Sequence, residues 1–223
     1  MKHAILHFRN RQIPEYSPDK PVSVALVTGS LGPGGAERQL TRLAGELARM
    51  ADAPNPRPVD VPMKPEKVEV LVKQHTEPAG STKKQGLDFF LSVLVKAQIP
   101  VTEINKLPAI SVAHQSVPDG SLTRLLEQLP PPVHYGVTRL APVLRASTFD
   151  VVSLWQDGTC LFGALAALLA GAPTIHLVFR GLPPNIRKDR FREEYPELYQ
   201  ALAQVPGVHL SLIHISEPTR LRR

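Results

Sequence analysis

The sequence has little of several features that mark particular classes of protein. A single cysteine in 223 residues excludes a disulfide scaffold and a cysteine-rich zinc module. Aromatic residues make up only 5% of the chain, whereas surfaces that stack nucleic-acid bases need aromatic side chains among their basic residues. The longest nearly continuous apolar run, Cys160–Ala172, is shorter than the roughly 20 residues that span a bilayer. Met1–Asn10 has only a short apolar patch, so we expect no signal peptide and a cytoplasmic protein.

The rest of the composition is that of an ordinary globular chain with extra proline. Apolar residues make up 43% and charged residues 21%, which suits one sizeable core. The 23 prolines predict many loops. The formal net charge of +6 and the pI near 9.6 are basic, but the basic residues are scattered along the chain, and we expect no nucleic-acid partner.

Hydrophobic periodicity predicts strands that alternate with helices. Val22–Val27 is a β-branched run typical of a buried parallel strand, and an amphipathic helix follows from Ala36 to about Met50. Further strands are predicted at 68–72, 99–104, 149–155, 174–180 and 207–209, and further helices at 86–98, 122–129, 133–147, 158–171 and 189–204. The fold class predicted is α/β, a single Rossmann-like parallel sheet with helices on both faces. We expect residues 1–20 to be a mobile arm and residues 21–209 to be this domain.

The last residues differ in character from the rest. Leu210–Arg220 (LSLIHISEPTR) resembles the translation of a transposase-type sequencing adapter, so we expect residues 210–223 to be a non-native tail. Without that tail the chain has three fewer arginines and one fewer glutamate, and its net charge falls from +6 to +4. The alternative is a genuine strand with a basic end. Because LSLIHIS alternates apolar and polar residues, it can imitate a strand in either case.

A glycine-rich turn, Gly29–Gly35, follows the first predicted strand. Glycines let backbone approach a ligand closely, and the N-terminus of the next helix suits a diphosphate. The turn is neither GxGxxG nor a P-loop, because Glu37 stands where the third glycine would be and no Gly-Lys-Ser/Thr follows. A tight turn without any ligand is the alternative.

Two more candidate loops follow later strands and should lie at the same edge of the sheet. Trp155 is a candidate to stack on a sugar, and Gln156 and Asp157 are candidates to accept hydroxyl hydrogens. The alternative is that Asp157 or Thr159 only caps the helix. Arg180 offers a planar fork for anionic oxygens, or else pairs with Asp157 to hold the two loops together.

Other residues favour structural roles. Cys160 begins a helix but lies in an apolar stretch, so we expect a buried thiol. His75, His114, His134 and His176 lack metal-ligand spacing. The basic cluster Arg187, Lys188, Arg190 and Arg192 suits a solvated helix face or, as the alternative, a peripheral contact with anionic lipid.

Two stretches carry a family resemblance. GSLGPGGAERQLTRLAGEL (Gly29–Leu47) resembles the first strand, loop and helix of bacterial retaining glycosyltransferases of family four, which have two facing Rossmann-like domains, the GT-B fold. DVVSLWQDGTCLFGALAALLAGAPTIHLVFRGLPPN (Asp150–Asn185) is similar to the fourth and fifth strand region of the same N-terminal domain.

This resemblance implies a function in polysaccharide or glycoconjugate synthesis. The implied reaction is sugar transfer from a nucleotide-sugar to a hydroxyl acceptor, with no metal or other cofactor. Gly34 and Gly35 match the loop that approaches the donor diphosphate. Gln156 and Asp157 stand where many relatives have a histidine near the transferred sugar, and Arg180 matches a polar position. The family's C-terminal domain, with most of the donor site, is missing from the sequence, so we expect this chain to be inactive by itself.

Two rival functions stay open. A nicotinamide-dependent oxidoreductase needs a complete GxGxxG and a carboxylate at the end of the second strand, where this chain has Val72 and Lys73. A non-catalytic α/β binding module needs only a complete small fold.

Overall fold

Six strands form one parallel sheet. The computed structural model describes residues 1–15, 20–52, 65–77, 86–115, 120–179 and 195–212. The strands are β1 (Val22–Thr28), β2 (Pro65–Val72), β3 (Val101–Glu103), β4 (Val151–Trp155), β5 (Thr174–Phe179) and β6 (Val208–Leu212). Their order is β3-β2-β1-β4-β5-β6, and every neighbouring pair is parallel. The predicted fold class, an α/β single parallel sheet, is therefore confirmed.

Helices pack on both faces of this sheet. They are α1 (Lys2–Leu6), α2 (Gly35–Asp52), α3 (Leu91–Lys96), α4 (Gly120–Glu127), α5 (Pro131–Ser147), α6 (Asp157–Leu169) and α7 (Tyr195–Leu202), with 3-10 turns at Ile104–Lys106 and Val112–His114. Successive side chains of β1 enter opposite cores. Val24 and Leu26 pack with α2 and α3, and Ala25 and Val27 pack with α5 and α6.

The third helix is shorter than its sequence pattern predicts. The sequence predicts a helix over 86–98, but α3 begins only at Leu91. The preceding residues bond instead to the glycine-rich loop, since the Leu31 N–H donates to the Leu87 carbonyl at 2.8 Å and the Phe90 N–H donates to the Leu31 carbonyl at 2.9 Å. These tertiary bonds take the place of the first helical turn.

Several strands also differ from their predicted limits, β2 and β3 among them. β2 begins at Pro65 rather than at residue 68, since proline at the first position of a strand gives up only one donor. β3 ends at Glu103, and the chain tightens into a 3-10 turn at once. Residues 189–194 of the predicted last helix lie outside the described residues, and α7 covers the part from Tyr195.

The N-terminal residues contain a packed element where the sequence predicts an arm without periodicity. Ile5 of α1 is fully buried in the core on the α5–α6 face. Lys2 Nζ lies 3.2 Å from Glu197 Oε2 of α7, and Arg11 Nη2 donates to the carbonyls of Ala172 and Pro173 at 2.7 and 2.6 Å. The sequence signal was weak because α1 has only five residues, too few for a helical period to show.

The last described strand extends past His209 into the stretch that resembles an adapter. Leu210 and Ser211 pair with Leu177 and Val178 of β5. Parallel pairing uses backbone groups, so an alternating segment of any origin can occupy this edge. Among the helices of the described ranges, none has the length and apolarity needed to cross a membrane.

Candidate functional site

A cavity lies at the carboxyl ends of β1, β2 and β4. The connections from β1 and β4 lead to opposite sides of the sheet, because β1 is followed by β2 and β4 by β5. Such a switch point leaves a crevice between the two strand ends. The cavity there has a volume of about 640 Å³. Its described walls are Gly29, Ser30, Lys73, Gln74, Leu87, Pro131, Pro132, Tyr135, Gln156, Gly158, Thr159 and Phe162.

Gln156 connects the two loops that meet at this crevice. Its side-chain Oε1 accepts a hydrogen bond from the Gly29 N–H at 3.3 Å, and its Nε2 donates to Glu37 Oε1 at 2.6 Å. Its backbone has φ 73° and ψ 148°, a region that residues with a side chain rarely adopt. The structure shows that Gln156 holds the β1 and β4 loops together, and its predicted contact with the sugar stays a prediction.

Side chains of the protein lie close to two glycines of the first loop, Gly29 and Gly34. A Cβ at Gly29 would lie 2.7 Å from Gln156 Oε1, and one at Gly34 would overlap the Glu37 carboxylate. At Gly35, which begins α2, a Cβ would meet nothing within 4 Å. Gly29 lines the cavity, whereas Gly34 and Gly35 are not among its described walls. The role of Gly34 and Gly35 at a donor diphosphate stays a prediction.

Glu37 is a central residue that the sequence analysis missed as a contact. It is only 8% exposed, in the first turn of α2, and accepts from Ser30 Oγ at 3.2 Å as well as from Gln156. Thr41 Oγ1 donates to its carbonyl at 2.8 Å. The sequence signal for Glu37 was its position as an acidic residue in the first turn of a helix that follows a glycine-rich loop. The helix dipole stabilises a carboxylate at that position.

The first turn of α6 brings a buried hydroxyl to the cavity. The Gln156 carbonyl accepts from the Cys160 N–H at 2.9 Å, and Gln156 itself is the N-cap, without a side-chain cap bond. Asp157 is the first residue of α6 and is half-exposed. Thr159 is 2% exposed, and its Oγ1 has no hydrogen-bond partner among the described residues. Thr159 therefore does not cap the helix as the alternative had it.

Trp155 lies elsewhere than the sequence analysis expected. It is 5% exposed and packs in the core between the sheet and α2, with Leu31 and Leu40. Its indole Nε1 donates to Ser153 Oγ at 3.0 Å. A buried ring in this position has no free face for a sugar, and this corrects the expectation of stacking. Arg180, with its expected pairing to Asp157, lies outside the described residues.

Tyr135 is the aromatic residue that does line the cavity, and the sequence analysis did not single it out. It stands in the first turns of α5, half-buried, with its ring edge-on to Phe162 at 5.8 Å between centroids. Its hydroxyl contacts the Asn105 side chain. Lys73 Nζ lies 5.4 Å and Arg139 Cζ 5.5 Å from the ring centroid. Burial raises the pKa of Tyr135, so the phenol stays protonated at neutral pH.

A charged cluster lies at the end of β3 beside this tyrosine. Glu103 accepts from Thr76 Oγ1 at 2.6 Å, and Lys106 Nζ lies 3.1 Å from its carboxylate. Burial by itself would raise the pKa of Glu103, but these bonds and His75 outweigh it and lower the pKa. The Glu103 carboxylate is thus ionised and paired with Lys106, which makes it a weak proton acceptor.

Cys160 is a buried thiol, as predicted. Its Sγ donates to the Leu154 carbonyl at 3.4 Å, and it is fully buried. Burial raises the pKa of the thiol, with the charge of Asp157 adding to the effect. A protonated buried thiol is a poor nucleophile.

Comparison with known proteins gives one relative by sequence. No protein-family model matches the chain. The chain is 43% identical over 208 residues to a Salmonella typhi protein named Vi polysaccharide biosynthesis protein VipC/TviE. The alignment covers 93% of this chain and 35% of that protein. The chain thus spans about a third of the length of the curated relative that it matches.

Among solved structures, the fold is similar to that of UDP-N-acetylglucosamine 2-epimerase. The TM-score is 0.44 with 18% identity, over 85% of this chain and 41% of that one. The name of the Salmonella relative does not specify glycosyl transfer, so the family-four resemblance stays a prediction.

Proposed function

We propose that this chain is the acceptor-side domain of a glycosyltransferase of polysaccharide biosynthesis, which moves a sugar from a nucleotide-sugar to a hydroxyl. The observation that carries the proposal is the cavity of about 640 Å³ at the switch point between β1 and β4. Its walls combine a glycine loop, amide groups, a hydroxyl and a half-exposed aromatic ring, which are the groups that bind sugars through hydrogen bonds and ring faces. The relative named for Vi polysaccharide biosynthesis supports the same class of pathway.

The end of the second strand argues against the nicotinamide alternative. β2 ends at Val72, and Lys73 follows it into the cavity. A dinucleotide-binding site has an acidic residue there to accept the hydrogens of the ribose hydroxyls. A lysine ammonium has no acceptor atom and cannot take that role.

In the proposed reaction, this domain holds the acceptor and excludes water around its hydroxyl. Thr159 Oγ1, which has no hydrogen-bond partner among the described residues, bonds an acceptor hydroxyl, and Tyr135 offers its ring. Gln156 and Glu37 set the positions of the loops and act as positioning residues. Stabilisation of the leaving diphosphate falls to other parts of the protein, because the described walls supply only Lys73 as a cation.

A chimera tests the proposal. This chain replaces the matching third of the Salmonella relative, and a strain that lacks the relative is scored for polysaccharide. We expect the chimera to restore the polymer, and Tyr135→Ala within it to lower polymer yield about tenfold through the loss of one aromatic contact. Lys96→Met, on an exposed position of α3 outside the cavity, is the matched control and should change nothing.

Two results would overturn the proposal. One is a folded chimera without any sugar transfer from a panel of nucleotide-sugars. The other is binding of NAD to this chain at micromolar affinity in calorimetry, which would favour the oxidoreductase.

A further inference from the structure

A row of hydrogen bonds leads from a backbone carbonyl to the Tyr135 hydroxyl. It begins at the carbonyl of Thr76 and continues through the side-chain amides of Gln74 and Asn105. Gln74 and Tyr135 line the cavity at the switch point. Asn105 is not among the described walls of that cavity, nor of a second one of about 670 Å³ that Tyr135 also lines. Any effect of Asn105 on a ligand in these cavities therefore passes through another residue.

The donors and acceptors of this row fit together in one direction. The Thr76 carbonyl can only accept, so Gln74 turns its Nε2 toward it at 2.9 Å. Gln74 Oε1 then faces Asn105 and accepts from its Nδ2 at 3.1 Å. This leaves Asn105 Oδ1, which can only accept, facing the Tyr135 hydroxyl. The phenol therefore donates its one proton to Asn105.

Backbone and side-chain bonds attach this row to the sheet. Thr76 Oγ1 donates to Glu103 Oε2, at the end of β3, at 2.6 Å. The Asn105 N–H donates to the Lys73 carbonyl at 3.1 Å, and the Lys73 N–H donates to the Thr28 carbonyl, at the end of β1, at 2.8 Å. The row is thus held at the edge of the sheet where the cavity lies.

The proton of the phenol decides what Tyr135 offers to a ligand. Burial raises the pKa of Tyr135, so the phenol keeps its proton at neutral pH. Because that proton is directed at Asn105, only the lone pairs of Tyr135 Oη remain for a ligand. A ligand hydroxyl or amide N–H can donate to these lone pairs, whereas an ether or carbonyl oxygen has no proton to donate.

We propose that Gln74 and Asn105 are positioning residues that make Tyr135 Oη accept, and never donate, a hydrogen bond at the site, which selects a hydroxyl or N–H group of the bound saccharide. This inference rests on the proposed function, since the ligand is the saccharide bound at the same site. The direction of the hydrogen bonds is a property of the chain without any ligand, so it is testable apart from sugar transfer.

The first test follows the ionisation of Tyr135 in the whole 223-residue chain without ligand. NMR of tyrosine labelled at Cζ measures the pKa, and Tyr135→Phe assigns the signal. We expect Gln74→Leu to lower the pKa of Tyr135, because the released Asn105 amide can turn and donate to the phenolate. Gln39→Leu, on an exposed position of α2, is the matched control and should leave this pKa unchanged. An unchanged or raised pKa of Tyr135 in Gln74→Leu overturns the inference.

The second test measures sugar transfer by the chimera with the Salmonella relative, with oligosaccharides cut from the polysaccharide of that strain as the acceptor. We expect Tyr135→Phe, which keeps the ring and loses Oη, to raise the KM for the oligosaccharide about fivefold with little change in kcat. Asn105→Leu should raise this KM about threefold, whereas Asn105→Asp, which still accepts the phenol proton, should restore it. In a chain that already carries Tyr135→Phe, Asn105→Leu should have no further effect.

Fluorine on the ring tests the direction of the bond between Tyr135 and the ligand. Replacing Tyr135 with 3-fluorotyrosine withdraws electrons from Oη, which makes it a weaker hydrogen-bond acceptor and a stronger donor. At pH 6, where the phenol is still protonated, we expect the KM for the oligosaccharide to rise about twofold. A lower KM means that the phenol donates to the ligand, and overturns the inference.

The outcomes distinguish this inference from the proposed function. Additive effects of Asn105→Leu and Tyr135→Phe, or an unchanged KM in Tyr135→Phe, overturn the inference. Circular dichroism confirms that each variant is folded, and Gln74→Met takes the place of Gln74→Leu if the latter does not fold. A lowered pKa of Tyr135 in Gln74→Leu, together with a folded chimera that transfers no sugar, keeps the direction of the hydrogen bonds and overturns the proposed function.

Discussion

Side chains join β1 and β4 at both ends of the sheet, but different residues do so at each end. At the amino end, Asp150 joins β4 to β1 by accepting from the Ser23 N–H at 2.9 Å, Ser23 Oγ at 2.7 Å and Lys20 Nζ at 2.9 Å. At the carboxyl end, Glu37 and Gln156 join the loops after the same two strands. Each end thus uses a carboxylate to hold β1 and β4 together.

The difference between the ends lies in what is left strained or unpaired. Near Asp150, Thr148 closes α5 in the left-handed conformation, which is common at a helix end although a β-branched residue seldom adopts it. At the carboxyl end, Gln156 has a conformation outside that region, and Thr159 keeps a buried hydroxyl without a described partner. A rarely populated backbone conformation and an unpartnered buried hydroxyl thus lie close together at the carboxyl end, where we propose that the ligand binds.

Removing the acid at the amino end should have the largest effect on stability. We expect Asp150→Ala to lower the free energy of unfolding by about 2 kcal/mol, because three hydrogen bonds to a mostly buried carboxylate are lost. Urea denaturation measures this. Glu46→Ala, which breaks an exposed pair with Arg49 at 2.8 Å, should cost less than about 0.5 kcal/mol. Equal effects of the two variants would contradict the structural role of Asp150.

Gln156 should show an inverted preference between glycine and alanine. Both Gln156→Gly and Gln156→Ala lose the side-chain bonds, but only glycine accepts the positive φ without strain, so we expect the glycine variant to be more stable by about 1 kcal/mol. At Gln39, an exposed position within α2, the order should reverse by a similar amount. Denaturation of all four variants checks the prediction, and the same order at both positions would refute the strain.

Two buried threonines should respond oppositely to valine. Thr159→Val removes an unpartnered hydroxyl and should raise the free energy of unfolding by about 1 kcal/mol. Thr41→Val removes a hydroxyl that donates to the Glu37 carbonyl at 2.8 Å, and should lower it by about 1 kcal/mol. Thr159→Val should also weaken oligosaccharide binding. A loss of stability in both variants would mean that the Thr159 hydroxyl has a partner.

The smallest expected effect is the contribution of Asp150 to the loss of stability at low pH. Burial by itself would raise the pKa of Asp150, but the bonds from Ser23 and Lys20 outweigh it and lower the pKa below the ordinary 3.8. A depressed pKa contributes stability that is present above 3.8 and is lost as the pH falls through the folded-state value. We expect the wild-type chain to lose more stability between pH 5 and pH 2 than Asp150→Ala does. Urea denaturation at each pH measures this, and an equal loss of unfolding free energy in the two proteins would contradict it.

The sequence predicted correctly those strands and helices whose pattern lies within their own residues. β1 followed from its β-branched run, and α2 from apolar side chains on one face, because both signals lie within a short stretch of chain. The start of α3 was wrong because Leu87 and Phe90 bond to Leu31, which lies more than fifty residues earlier. No local pattern contains such a bond.

The candidate site was only partly predictable for a related reason. The loops after β1 and β4 were predicted at one edge of the sheet, and Gln156 does meet Gly29 there. Trp155 was expected in the site and Tyr135 was not, because the sequence shows neither that the last residue of β4 packs against α2 nor that the start of α5 reaches the cavity. Glu37 became central only through contact with Gln156, 119 residues away.

The sequence by itself determined the alternation of strands and helices, the parallel sheet and the edge at which the loops gather, because period and glycine position are properties of short segments. Only the tertiary structure decided which aromatic ring lines the cavity, that Gln156 is held at positive φ, and that Lys73 and Arg139 flank one tyrosine. Those arrangements depend on side chains from distant strands meeting in space, and each is fixed by packing and hydrogen bonds that no single segment contains.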